Sequence, residues 1–307
     1  MQLTHKIAVI DSGAGGISIL TEIIKKLTQQ KQTQEQYIYV ADHAGFPYGE
    51  LNENILLARL HNIVSHTIEN YQPHIIVIAC NTASTLALDH LRSQFPDIQF
   101  VGVVPAIKPA NQISQTKHIG ILATPATVNR KYTLDLINEF AHDCTVSFCG
   151  STQLVHAAED FISSGTIAID AVTQEIETLL KHDKKIDTIV LACTHFPLIK
   201  NAIHQCVTSF YKNNHCSFPV HIIDSGEAIA RRVSNIIEIR KQTKERLEDE
   251  DSDKDNNKEN VNILYLSTNE EHEVIEQLCV NYDRYITSSS TITNTIQSQA
   301  LHLRLAK

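Results

Sequence analysis

Short runs of β-branched and aliphatic residues recur along the chain: IAVID (7–11), YIYVA (37–41), HIIVIAC (74–80), FVGVV (100–104), HIGILA (118–123), TVSFC (145–149), DTIVLAC (187–193) and VHIID (220–224). They lack the apolar and polar alternation of a half-solvated strand, which predicts strands buried on both faces. Between them apolar residues return at helical spacing, as at Ile17, Leu20, Ile24 and Leu27 and again at Leu57, Leu60, Val64 and Ile68. That spacing predicts amphipathic helices. Strands and helices in alternation pack as parallel sheets with crossover helices, an α/β fold. Near the end, VNILYLST (261–268) reads as one more strand, followed by a helix from about Glu270 to Leu278.

The chain also matches itself at one offset. IAVIDSG, with Asp11 at its strand end, pairs with IGILATP, with Thr124 at its strand end, and IVIACNT (76–82) pairs with IVLACTH (189–195). The separations 124 − 11 and 193 − 80 are both 113. Two strand ends sharing one offset predict two similar α/β halves. Ligands of open parallel sheets bind beyond the carboxyl ends of the strands, and Cys80 and Cys193 both lie there. Halves that face each other would line one cleft with both cysteine loops.

Composition narrows the field. Across 307 residues, 42% are hydrophobic and 20% charged, which is ordinary globular usage and excludes wholesale disorder, collagen and coiled-coil arrays. The net charge is 26 − 35 = −9. Residues 244–259 (KERLEDEDSDKDNNKE) hold eight acids against four bases, and this stretch reads as a solvated linker that cannot bury enough apolar surface to order itself. With no basic stripe, nucleic acid is not an expected partner. The first apolar run is too short for a signal peptide, and no stretch approaches the length of a membrane span. A cytoplasmic protein is expected. There the seven cysteines (80, 144, 149, 193, 206, 216 and 279), odd in number and irregularly spaced, are expected to be reduced thiols and not a disulfide framework.

Five of the ten glycines (13, 15, 16, 45 and 49) fall between residues 13 and 49, so backbone shape is being specified there. DSGAGG follows the first strand as a dinucleotide loop would, yet a G-x-G-x-x-G frame begun at Gly13 places Ser18 at the third glycine. A tight turn feeding a helix N-terminus fits better, its free N–H groups able to hold a carboxylate. Asp11 and Ser12 would then project into the cleft.

A strand-end cysteine is more often packing than chemistry, because free cysteine is among the most buried residue types. Cys80 and Cys193 differ from the rest in being related by the repeat and in preceding hydrogen-bonding residues, Asn81-Thr82 and Thr194-His195. Cys144, Cys149, Cys206, Cys216 and Cys279 have no such relation and read as structural. Zinc held by Cys80, Cys193 and His195 is an alternative, although the familiar ligand spacings are absent.

In order along the chain, IAVIDSGAGG, ADHAGFPYG, IACNTAS, ATPATV and LACTHFPLI resemble the motif series of the glutamate racemases, within the aspartate/glutamate racemase superfamily. The resemblance runs from about residue 6 to residue 230, and the tail from 261 is similar to that family's closing strand and helix. It implies two pseudo-symmetric doubly wound parallel-sheet lobes with the active site between them. The C-terminal part would rejoin the first lobe, giving 1–104 with 222–307 (including the insert 241–260) as lobe one and 105–221 as lobe two. It implies Cys80 and Cys193 as the two catalytic bases, Asp11 as the acid associated with the first, His195 with the second, and Glu159 in LVHAAE as a further carboxylate. Asp11-Ser12, Tyr48-Gly49, Asn81-Thr82 and Thr194-His195 match the substrate-binding pairs, with Thr124 and Thr127 as a nearby hydroxyl pair. Four positions depart from the usual pattern: Gly45 for a basic residue, Arg130 for a small hydroxyl residue, His156 for a proline and Ala192 for a glycine.

The implied chemistry suits these residues. Inverting an α-carbon removes a proton from one face and delivers another to the opposite face, and the enantiomers are equal in free energy. A pseudo-symmetric pair of identical bases serves both directions alike. Pyridoxal phosphate, the usual electron sink, needs a Schiff-base lysine, and no lysine sits in a strand-end motif here; neither cofactor nor metal is expected. Glutamate is the expected substrate, D-glutamate for peptidoglycan the expected product, and a homodimer is compatible with the reading. Two rivals stand beside it: an aspartate or broader amino-acid racemase, and a non-catalytic amino-acid-binding or regulatory protein in which the cysteines merely pack.

Overall fold

The computed structural model describes residues 5–30, 35–214, 219–245, 260–268, 280–282, 284–286 and 293–300. In chain order the elements are β1 (Lys6–Asp11), α1 (Gly16–Gln29), β2 (Gln36–Ala41), α2 (Glu53–Tyr71), β3 (Ile75–Ile78), α3 (Asn81–Gln94), β4 (Gln99–Gly102) and α4 (Ile107–Ile113). There follow β5 (His118–Ala123), α5 (Pro125–Val128), α6 (Lys131–Phe140), β6 (Thr145–Gly150), α7 (Gln153–Ser164), α8 (Ile169–His182) and β7 (Thr188–Ala192). The last are α9 (Lys200–Asn213), β8 (His221–Ile223), α10 (Gly226–Glu245), β9 (Asn260–Ser267) and β10 (Thr293–Ala300).

All strand pairs are parallel, in a six-stranded sheet of order β10-β9-β2-β1-β3-β4 and a four-stranded sheet of order β6-β5-β7-β8. The run β2-β1-β3-β4 in one sheet corresponds strand for strand to β6-β5-β7-β8 in the other. Strands carrying the sequence repeat, β1 with β5 and β3 with β7, therefore occupy equivalent central places. That is the α/β, two-sheet architecture expected from the strand pattern.

Central position explains the continuous apolar runs. β3 and β7 are buried at every residue, and β1 and β5 at all but the first. The edge strands β6 and β8 are largely only half-buried, which corrects the expectation of burial on both faces for TVSFC and VHIID: an edge strand has a neighbour on one side only. Inner faces of both sheets share one apolar cluster, from Ile17, Leu20 and Ile24 of α1 through Phe196 to Leu179 of α8 and Ile203 of α9. Separate clusters cover the outer faces, under α2 and α3 in one lobe and α4 in the other. All four apolar residues expected on α1 are fully buried. On α2 the buried line is Leu56, Leu60, Ile63, Val64 and Thr67, so Leu57 and Ile68 of the expected stripe lie at its half-buried rim. Strand β9 covers the expected VNILYLST; the helix expected at 270–278, most of the insert 244–259, Cys216 and Cys279 lie outside the described residues.

The chain crosses between lobes twice, after β4 and after β8, and the Ser225 hydroxyl donates to the Val104 carbonyl at 2.5 Å to tie the crossings together. A buried carboxylate shapes the first crossing. Asp187 accepts from Ser114 Oγ at 2.6 Å, from the backbone N–H groups of Gln115 and Thr116 at 2.7 Å each, and from Thr188 Oγ1 at 3.0 Å. Burial alone would raise its pKa, but the Ser114, Thr116 and Gln115 bonds prevail and hold it below the usual carboxylate range. Stability from a depressed carboxyl is present above its ordinary pKa of 3.8 and is lost as pH falls through the lower folded value. Asp187→Ala strands four donors and should cost about 3 kcal/mol at pH 7. Urea unfolding should show that penalty shrinking once the pH drops below the ordinary carboxylate range.

Candidate active site

The two cysteines cap equivalent strands. Cys80 ends the β3 segment and precedes α3, where the N–H groups of Thr82 and Ala83 point back at its sulfur. Cys193 follows β7, but Pro197 turns the next residues into a short 3₁₀ turn, Phe196–Ile199, before α9 begins. One sulfur thus has a helix N-terminus and the other does not. Cys193 has instead the His195 ring, with Nδ1 3.8 Å from Sγ.

His195 is the centre of a hydrogen-bonded line. Its Nε2 lies 2.8 Å from Glu159 Oε1, and the same oxygen accepts the backbone N–H of Ala14 at 2.5 Å. Burial works against a charged ring, yet the partnership with Cys193 and Glu159 outweighs it and raises the His195 pKa well above its ordinary value. For Glu159, burial pushes upward while the His195 bond and charge and the Ala14 N–H pull down; the net direction is down. Both shifts favour an imidazolium facing a carboxylate. Cys193, His195 and Glu159 therefore form a line from a sulfur to a backbone N–H in the opposite lobe.

The DSGAGG turn is glycine-rich because these side chains press on it. A Cβ at Gly13 would collide with Glu159 Oε1, and one at Gly15 would lie 2.5 Å from both His195 Nδ1 and Thr194 Oγ1. Close approach, and not a cofactor phosphate, is the reason for glycine here. It also corrects the expected use of this loop as a set of N–H donors for substrate: Ala14 N–H is taken by Glu159 and Gly13 N–H by Asp11 Oδ1 at 3.1 Å. Gly15→Ala should displace His195 and Thr194 and lower kcat/KM by about a hundredfold, measured beside a thermal melt that remains cooperative.

Asp11 ends β1 and is fully buried. Burial raises its pKa against the pull of His195, the Gly13 N–H and the Thr194 hydroxyl, which donates to Oδ2 at 3.0 Å. No lysine or arginine pairs with it among the described residues, so an incoming ammonium would be its natural counter-charge. Cys80 is raised well above the ordinary thiol value by burial first and by the Asp11 charge second; the Cys193 charge adds to it, so the two sulfurs sense one another. Both are accessible to a small degree, 8% for Cys80 and 7% for Cys193. Neither is entombed.

The remaining expected residues gather here too. Ser12 is buried beside Asp11, with Oγ 3.5 Å from Oδ1. Hydroxyls of Thr82, Thr124 and Thr127 form a triangle across the lobes with sides of 3.0–3.2 Å. The Asn81 amide oxygen is buried with no partner among the described protein groups, leaving hydrogen-bonding capacity for a ligand. Gly49 packs on Thr124, since a Cβ there would sit 3.4 Å from the Thr124 Cβ. Tyr48 is fully buried with its hydroxyl donated to Asp42 at 2.8 Å, and Arg59 grips the same carboxylate; what this turn can offer a ligand is backbone. Phe46, which the sequence did not single out, has its ring 5.7 Å from that of His195 and 5.5 Å from that of His156. Nothing in the sequence signals that stacking, because the three residues come from separate segments. Among the described residues no group of three His, Cys, Asp or Glu is placed to hold a metal ion. Cys144, Cys149 and Cys206 lie outside this cluster, bonded to Asn111, Glu175 and Thr173.

A two-lobed parallel α/β fold with a cysteine after the equivalent central strand of each lobe is the architecture of an amino-acid racemase, an isomerase. The chain belongs to the Asp/Glu/Hydantoin racemase family, whose profile matches residues 7–233. It is 47% identical over 232 residues to the glutamate racemase of Aliivibrio fischeri, covering 75% of this chain and 80% of that one. With the glutamate racemase of a Shewanella species it shares 41% identity over 250 residues, covering 81% and 85%. The crystal structure of Escherichia coli glutamate racemase in complex with L-glutamate and the activator UDP-MurNAc-Ala superposes with a TM-score of 0.76 at 32% identity, over 97% of this chain and 99% of that one.

Proposed function

We propose that this chain is a glutamate racemase that interconverts L- and D-glutamate with no cofactor, and that its D-glutamate supplies peptidoglycan synthesis. The observation that carries the mechanism is the placement of Cys80 and Cys193 at equivalent strand ends of a repeated fold, within reach of each other's charge. The substrate class rests on the glutamate racemases to which the chain is similar.

In this reading the glutamate Cα lies between the two sulfurs. Cys80, held as a thiol by burial and Asp11, gives a proton to one face, while Cys193, beside the His195 imidazolium, takes one from the other. Each turnover exchanges the two roles. A turnover of 10 per second corresponds to a barrier of about 16 kcal/mol, which a thiolate alone does not reach. The carbanion's charge spreads into the substrate carboxylate and needs fixed donors in a site that excludes water. Asn81 and the Thr82, Thr124 and Thr127 hydroxyls supply them, while Asp11 takes the ammonium. The lobes are read as 1–104 with 222–307 and 105–221, with the return crossing after β8 (His221–Ile223) moving the described boundary to residue 224. No described helix is long and apolar enough to cross a membrane, and a cytoplasmic setting keeps both thiols reduced.

Circular dichroism of single amino acids incubated with purified protein tests the reading. L-glutamate and D-glutamate should converge on the same racemic end point with no cofactor added. Faster turnover of aspartate would reassign the substrate, and inertness toward every amino acid offered would make the chain a binding protein.

A further inference from the structure

With both cysteines more than nine-tenths buried, contacts that hold the lobes together set how tightly a bound amino acid is enclosed. Several lie inside the site: the Thr82 hydroxyl against Thr124 and Thr127, Gly49 against Thr124, and the Ala14 N–H on Glu159. One lies at the rim. Arg130 of the second lobe donates Nη1 to Glu53 Oε1 of the first.

The placement of this pair is specific. Arg130 closes the turn after α5, its N–H bonded to the Thr127 carbonyl, and directly precedes α6. Glu53 opens α2, just after the 3₁₀ turn Tyr48–Glu50. The ion pair therefore joins the far ends of the two segments, one from each lobe, that bring Gly49 against Thr124. An exposed ion pair contributes little by itself. Here only Glu53 is exposed, at 63%; the Arg130 side chain is 16% exposed, and its Nε is buried with no hydrogen-bond partner. A guanidinium stripped of water depends on its one carboxylate, and removing that carboxylate leaves a poorly solvated cation on the lobe boundary.

We infer that Arg130 and Glu53 form a latch that holds the lobes closed over the bound amino acid. They are positioning residues: they touch neither substrate nor sulfur, and they act through the Tyr48-Gly49 turn and the Thr124–Thr127 turn. The inference rests on the racemase reading above. Apparent affinity scales with the fraction of protein in the closed, binding-competent state, whereas chemistry inside that state is untouched. The latch therefore acts on KM and spares kcat.

Racemisation kinetics of charge-reversed variants test it. Arg130→Glu and Glu53→Arg, each alone, should raise the KM for glutamate about tenfold with kcat within about twofold of wild type, the pattern of lost uniform binding. The double variant Arg130→Glu with Glu53→Arg should return KM to within about threefold of wild type, because the pair is remade in reverse. Glu53→Gln removes only charge from an exposed side chain and should raise KM in the same direction; it keeps the test available where a reversed single fails to fold. Added salt should raise the wild-type KM more than that of Glu53→Gln. Unchanged KM in Glu53→Gln, or a double variant no better than the worse single, overturns the latch. Wild-type protein that leaves glutamate unchanged overturns the racemase reading instead, and is seen before any variant is made.

Discussion

Replacing either Cys80 or Cys193 with alanine is expected to lower racemisation by about a thousandfold or more while leaving the fold intact, since each loss removes the proton donor or acceptor from one face. The two variants should fail differently. Cys80→Ala keeps the Cys193, His195 and Glu159 line and should still exchange the Cα hydrogen of the one enantiomer that presents it to Cys193. Cys193→Ala keeps only the Cys80 side and should exchange the other enantiomer. In both, exchange would proceed without inversion. Each side chain is small and sits at a strand end, so thermal unfolding should move by a few degrees only. Near-wild-type racemisation by either variant would remove that sulfur from the mechanism.

Glu159→Gln is expected to reduce turnover by about tenfold to a hundredfold and to move the alkaline limb of the pH–rate profile to lower pH. The sign follows from the site. Glu159 and Cys193 raise the His195 pKa, so the ring stays cationic through neutral pH and loses its proton only as pH rises through that elevated value. A neutral amide at 159 still accepts the Ala14 N–H but offers the ring no charge, so His195 deprotonates sooner and the limb shifts down. His195→Asn should lower kcat more in the direction in which Cys193 removes the proton than in the reverse, with KM moving in step because equal free energies of the enantiomers keep kcat/KM the same both ways. A profile whose alkaline limb stays in place in Glu159→Gln would separate His195 from the proton transfer.

Both largest effects trace to features with different legibility in the sequence. Buried parallel strands show themselves as unbroken Ile and Val runs, which is why β1, β3, β5 and β7 are readable as they stand. The common 113-residue offset, 193 − 80, was enough to set Cys80 and Cys193 apart from Cys144, Cys149 and Cys206. Edge strands look as buried as central ones in the sequence, since residue type reports apolarity and not the number of neighbours. Strand β10, TNTIQSQA, carries too few apolar residues to announce itself. Long-range polar contacts were invisible for another reason: Ala14 and Glu159 meet across 145 positions, and no local pattern records that a turn's N–H is already occupied. Pro197 could have warned that Cys193 is followed by a 3₁₀ turn and not directly by a helix.

Isotope placement at early conversion tests the two-base account most directly. Wild-type protein given unlabelled L-glutamate in heavy water, and stopped after a few per cent turnover, should yield D-glutamate carrying deuterium at Cα, while the remaining L-glutamate stays unlabelled. The sulfur that removes the proton is then not the one that supplies its replacement. Deuterium entering L-glutamate as fast as D-glutamate forms, or D-glutamate that keeps its original hydrogen, would mean a single base serves both faces and would contradict the account.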